Sequence, residues 1–148
     1  MARYLEDLKP GHAFESRRHT ITEEAIVAFA REFDPQPFHT DPEAAKKSFF
    51  GKLIASGWHT AALTMKMLTE AEMDLAGGII GAGMEDLRWP TPLVPGDTIH
   101  VRVEILESRA SKSRPEIGIV RARVQALRED GTAVQEMTAN LIVPTKPG

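Results

Sequence analysis

LIASGWHTAALTMKMLTEAEMDLAGG, residues 53–78, reads as one long apolar helix. Ser56 can cap it, Gly57 opens it, and Gly77-Gly78 closes it after about Ala76. Trp58, Ala61, Ala62, Leu63, Met65, Met67 and Leu68 cover most of its circumference. A helix apolar nearly all round must be packed on several sides, since any bare flank would face water. The remainder of the chain has to supply its walls.

The downstream half reads as those walls. A strand from Ile79 to Trp89 is closed by Pro90-Thr91-Pro92. Pro95-Gly96-Asp97 turns the chain into Thr98–Glu107, where Ile99, Val101, Val103 and Ile105 alternate with His100, Arg102 and Glu104. Ile117–Leu127 alternates through Val120, Ala122, Val124 and Ala126. Glu129-Asp130-Gly131 makes a hairpin turn, and Met137, Ala139, Leu141 and Val143 share one face beyond it. Helices come first and strands follow, so the class is α+β, with a curved antiparallel sheet wrapped around the long helix. The 148 residues contain no linker, repeat or low-complexity tract, and 1–148 is expected to be a single domain.

Bulk composition narrows the function. Hydrophobic residues at 42% and charged residues at 26% are ordinary for a soluble globular protein. A net charge of −3 gives no support to nucleic-acid binding. No apolar run approaches the roughly 20 residues needed to span a bilayer, so no membrane partner is expected. MARYLEDLKPGH lacks the apolar core of a signal peptide, which makes the cytoplasm the expected location. With no cysteine there is no disulfide framework, thiolate nucleophile or cysteine zinc site.

Upstream, a short strand is expected within residues 12–20. Thr20 and Thr22 then compete to cap a helix whose Ile26, Phe29, Ala30 and Phe33 recur at helical spacing. Pro35 ends that helix by pushing Asp34 out of the α region. Pro37 is expected to keep the chain extended. Asp41-Pro42-Glu43 restarts a helix with a cap, a proline at the first position and an acid in the first turn. Stiff chain therefore separates Asp34 from His39 and can set carboxylate and imidazole on one side, where a free loop would lose more entropy. Converging within about 3 Å of one water, such a pair can take its proton and return it elsewhere. The two would titrate as a coupled pair, which leaves open which is acid and which is base.

The run F-D-P-Q-P-F-H, the IASG before the long helix and LRWPTPLVPGD ahead of a strand resemble the MaoC-like dehydratases. That family includes the (R)-specific enoyl-CoA hydratases, and the resemblance runs in order over nearly the whole chain. Its best-defined part, Asp-x-Asn-Pro-x-His, is matched by Asp34, Pro37 and His39. Gln36 stands at the asparagine position, and Glu32-Phe33 where a small-residue pair is common. The resemblance implies a hot-dog fold, usually paired into a dimer. It also implies addition or removal of water across the 2,3 double bond of an acyl thioester, with Asp34 and His39 catalytic and the Gly57 amide donating to the oxyanion. Coenzyme A would enter as part of the substrate, with no separate cofactor.

Physical chemistry supports the oxyanion role, because a helix N-terminus carries free N–H groups and glycine allows close approach. Candidate substrate contacts are Gln36, Ser56, Trp58 and Arg88; Ser56 is a cap first and a polar contact second. Lys46, Lys47, Lys52 and the basic 109–115 stretch, with Arg109, Lys112 and Arg114, are further candidates for carrier phosphates, although such a stretch is more often a solvated hairpin. His59 reads as a satisfied buried histidine, and His12, His19 and His100 as surface or strand residues. A metal held by His39, Asp41 and His59 is not expected, since Asp41 is already needed as a cap. Two rivals remain. A hot-dog acyl-CoA thioesterase would place a carboxylate on or beside the long helix, and WHTAALTMKM has none. A non-catalytic acyl-thioester binding domain would use Asp34 and His39 structurally.

Overall fold

The computed structural model of the chain describes residues 1–148. A 3-10 turn at Leu5–Asp7 leads to β1 (Ala13–Glu15), β2 (His19–Thr20), α1 (Glu23–Phe33), α2 (Pro37–Thr40), α3 (Pro42–Lys46) and α4 (Gly57–Thr69). Four strands follow: β3 (Ile80–Arg88), β4 (Thr98–Ala110), β5 (Ile117–Arg128) and β6 (Ala133–Pro144). All six strands join one antiparallel sheet in the order β1-β4-β5-β6-β3, with β2 also on β4.

The alternation in the sequence sets the inner face of this sheet. Ile99, Val101, Val103 and Ile105 of β4 are fully buried, as are Val120, Ala122, Val124 and Ala126 of β5. Register brings Val101 opposite Ala126 and Val103 opposite Val124, so the two apolar rows form one surface. α4 packs on that surface against β4 and β6, and α1 packs against α4. Between β3 and β4, Asp97 is pinned in the turn. Its Oδ2 accepts from the Val94 N–H at 2.9 Å and from Arg128 Nε at 3.0 Å, and Arg128 also donates to the Pro92 carbonyl at 2.7 Å.

Several elements differ from the sequence-based expectation. The expected strand at 12–20 is split into β1 and β2, both on β4. Helix α4 stops at Thr69, not Ala76, because the residues beyond it change period. Ala71, Met73 and Leu75 alternate into the core while Glu72 and Asp74 take positive φ outside it. The N-terminal segment captures this stretch: the Arg3 N–H donates to the Asp74 carbonyl at 2.6 Å, and the Ala76 N–H donates to the Arg3 carbonyl at 2.8 Å. α4 is also not enclosed all round, since Trp58 is 60% exposed and Met65 43% in the single chain. On α1, Ile26 and Ala30 are fully buried, but Phe29 is half-buried and Phe33 exposed. Pro37 does not extend the chain; it occupies the first turn of α2, where its fixed φ suits a helix and its missing N–H costs nothing.

Candidate active site

Asp34 caps the end of α1, with its N–H donating to the Ala30 carbonyl at 2.8 Å. Pro35 keeps it out of the helix, and Gln36 becomes the N-cap of α2. One helical turn later the His39 ring comes back beside the Asp34 carboxylate, Nε2 to Oδ2 at 3.2 Å. His39 is 5% exposed. Its Nδ1 lies 2.7 Å from the Ile54 carbonyl. A carbonyl only accepts, so Nδ1 carries the proton and Nε2 is the nitrogen free to accept another. The Phe38 ring meets the imidazole edge-on at 4.4 Å between centroids.

Three donors converge on Asp34. The Gln36 side-chain amide donates to Oδ1 at 2.6 Å, and the Ser56 hydroxyl donates to Oδ2 at 2.7 Å. The third is His39 Nε2 when it is protonated. Burial opposes charge on Asp34, but the Ser56 and Gln36 hydrogen bonds, with the His39 charge after them, outweigh it and hold the carboxyl below its usual 3.8. Asp34 is thus an ionised group at neutral pH in spite of its partial burial.

A cavity of about 270 Å³ opens beside this pair. His39 and Gly57 line it, together with Phe38, Phe50, Ile54, Trp89, Leu93 and Val134. Asp34 is not part of its wall and touches the cavity through His39. The Gly57 N–H has no acceptor within the chain. A β-carbon built on Gly57 would lie 2.7 Å from the Trp89 ring, so the indole rests directly on this glycine. The Trp89 Nε1 in turn donates to the buried Gln135 Oε1 at 2.9 Å.

The structure brings Asp34, Gln36, His39, Ser56 and Gly57 together and leaves two expected contacts outside. Trp58 meets Trp89 edge-on at 5.4 Å but does not line the cavity. Arg88 lies in a separate groove with Asp86, Arg123 and Glu136. Arg114 is paired with Glu116 and Lys46 with Glu43. Gln36 spends its amide on Asp34, making it a holder of the carboxylate. No three His, Cys, Asp or Glu side chains are arranged to hold a metal ion, and Asp41 accepts from the Glu43 N–H at 3.0 Å as the α3 cap. His59 is buried, stacked on Phe29 at 4.5 Å, but its Nδ1 has no partner, contrary to the satisfied histidine expected. Sequence reasoning missed Trp89 and Gln135 as site residues. A tryptophan ending a strand just before Pro-x-Pro was the only local signal.

A sheet on a central helix, with an aspartate–histidine pair at the helix N-terminus, defines a hot-dog domain of the dehydratase type. The MaoC-like domain family matches residues 7–127, and the chain belongs to that family. A MaoC-like dehydratase from Rhodospirillum rubrum superposes with a TM-score of 0.95 at 50% identity, over 99% of this chain and 100% of that one. The (R)-hydratase PhaJ1 from Pseudomonas aeruginosa superposes at 0.76 and 25% identity, over 97% and 86%. The 3-hydroxyacyl-thioester dehydratase Z of Mycobacterium tuberculosis is 33% identical over 129 residues, 84% of this chain and 82% of that protein.

Proposed function

We propose that this protein adds or removes water across the 2,3 double bond of an acyl thioester, interconverting 2-enoyl-CoA and 3-hydroxyacyl-CoA as a homodimer. The observation that carries the reading is the Asp34–His39 contact at 3.2 Å on the edge of a cavity that also holds the free Gly57 N–H. The names of the relatives support the same reaction class.

This reading divides the labour between the two residues. In hydration, His39 Nε2 takes a proton from water as its oxygen bonds to C3. The C2–C3 π electrons move onto the thioester oxygen, which accepts from the Gly57 N–H. Asp34 stabilises the resulting imidazolium. Nε2 then delivers its proton to C2, the enolate collapses to the thioester, and His39 returns to its starting state. The tie from Nδ1 to the Ile54 carbonyl keeps the ring aimed throughout.

The thioesterase alternative is disfavoured by how the acids are engaged. The one carboxylate beside the start of α4, Asp34, is paired with His39 at 3.2 Å, the first turn of α4 itself carries no acid, and Glu70 at its far end is bound to Arg17 at 2.8 Å. Incubation with crotonyl-CoA, following enone absorbance and free thiol together, separates the cases. Loss of absorbance without thiol is expected. Thiol release would mean a thioesterase, and no change across several chain lengths a binding domain. Asp34→Asn and His39→Ala are each expected to lower hydration by about 10²- to 10⁴-fold with little change in thermal unfolding. A collapse of folding in either variant would make the pair architectural.

A further inference from the structure

We infer that Ser56 is a positioning residue whose single hydroxyl sets the Asp34 carboxylate in register with the amide end of α4. The inference rests on the hydration reading and adds to it a link between the acid–base pair and the oxyanion donor.

Ser56 is fully buried and makes two hydrogen bonds of opposite sense. Its Oγ–H donates to Asp34 Oδ2 at 2.7 Å, across 22 positions of sequence, and its Oγ accepts from the Trp58 N–H at 3.3 Å. The second bond is an ordinary helix cap, which glycine would nearly replace. The first is not needed to start a helix. Because one oxygen serves both, Asp34 cannot shift along α4 without losing either its donor or the cap. Gly57, the next residue, is thereby held at a constant offset from the carboxylate. The Ser56 carbonyl reinforces this by accepting from the His59 N–H at 2.9 Å and the Thr60 N–H at 3.1 Å. The polar partners of the Asp34 carboxylate are Gln36 on Oδ1, and Ser56 and His39 on Oδ2. Removing Ser56 leaves Oδ2 with His39 alone, and the carboxylate, still held by Gln36 through Oδ1, loses its tie to α4.

The test compares Ser56→Ala, Ser56→Gly and Ser56→Thr in the full chain. Aspartate labelled with carbon-13 at Cγ, assigned through Asp34→Asn, reports the Asp34 titration by NMR whether or not the protein turns over. Crotonyl-CoA hydration and thermal unfolding are read on the same samples. In Ser56→Ala and Ser56→Gly the Asp34 midpoint is expected to move to higher pH, with hydration down about 10- to 100-fold in both. Ser56→Thr, which keeps the hydroxyl, is expected to leave the Asp34 midpoint near its wild-type position, while thermal unfolding reads the cost of its added methyl separately. A cap-only role would instead make the glycine variant nearly normal and the alanine variant merely less stable. An unmoved Asp34 midpoint in both hydroxyl-free variants overturns the inference. A midpoint that moves in a protein with no hydratase activity overturns the functional reading and leaves the positioning role standing.

Discussion

Gly57 has two reasons to be glycine. Its N–H is free at the cavity, and the Trp89 ring lies where a β-carbon would go. Ordinarily glycine to alanine at the start of a helix is neutral or favourable. Here the indole is tethered by its bond to Gln135, which is 1% exposed, so yielding would strand a buried carbonyl oxygen. Gly57→Ala is therefore expected to destabilise by about 1–3 kcal/mol through overpacking. Adding Trp89→Ala should remove most of the clash, so the double variant should unfold well above the sum of the two single losses. Strict additivity in that thermal cycle would show that the two residues do not meet. At this scale the sequence was informative about placement and poor about contacts. That Asp34 and His39 can face one another was legible from their spacing, and Gly57 at the start of α4 from the cap signal before it; the Trp89–Gln135 bond joins positions 46 apart, which no short window reveals.

Helices α1 and α4 meet through the Phe29 ring stacked on His59, nearly parallel at 6°. Desolvation, then the neighbouring charge of His19, pulls His59 below its usual 6.5. The folded protein thus keeps this imidazole neutral where the unfolded chain takes up a proton. Protons bind the unfolded state preferentially, so this contribution to stability is complete above about pH 6.5 and declines as pH falls below it. His59→Phe keeps the stack and removes the titration. Its Tm is expected to depend less steeply on pH between about 7 and 5 than the wild type's, and not to fall at neutral pH, because the unpartnered Nδ1 goes too. A wild-type slope retained in the variant would assign the acid sensitivity elsewhere. Element boundaries tell the same story of local and distant causes. The caps at Asp41 and Ser56 are local and stand where the sequence puts them, and of the two candidates for α1 the structure uses Thr22 over Thr20; each cap accepts from a first-turn N–H. The end of α4 was misplaced by seven residues because Arg3, remote in sequence, binds the carbonyls of Glu72 and Met73.

For the whole molecule the open question is what lies against β3. It pairs only with β6, and every residue from Ile80 to Arg88 except Leu87 is exposed, including Ile80 at 45% and Met84 at 55%. A nine-residue edge with apolar side chains invites a further strand. The expected occupant is β3 of a second copy, giving a solution mass of at least two chains by light scattering. Met84→Lys should lower that mass toward one chain and remove any dependence of Tm on concentration. A wild-type protein that runs as one chain at all concentrations would end the dimer reading. No helix is long and apolar enough to cross a membrane. By itself the sequence determined the α+β class, the three apolar strand faces of β4, β5 and β6, the caps at Asp41 and Ser56 and the aspartate–histidine pair, since each is written within a few residues by periodicity, proline or a capping side chain. Only the tertiary structure decided that Ser56 holds Asp34, that Trp89 rests on Gly57, that Arg88 stands outside the cavity and that α4 ends early. Those outcomes are contacts between distant segments, and they are selected by the packing of the sheet on the helix, which no short window of sequence encodes.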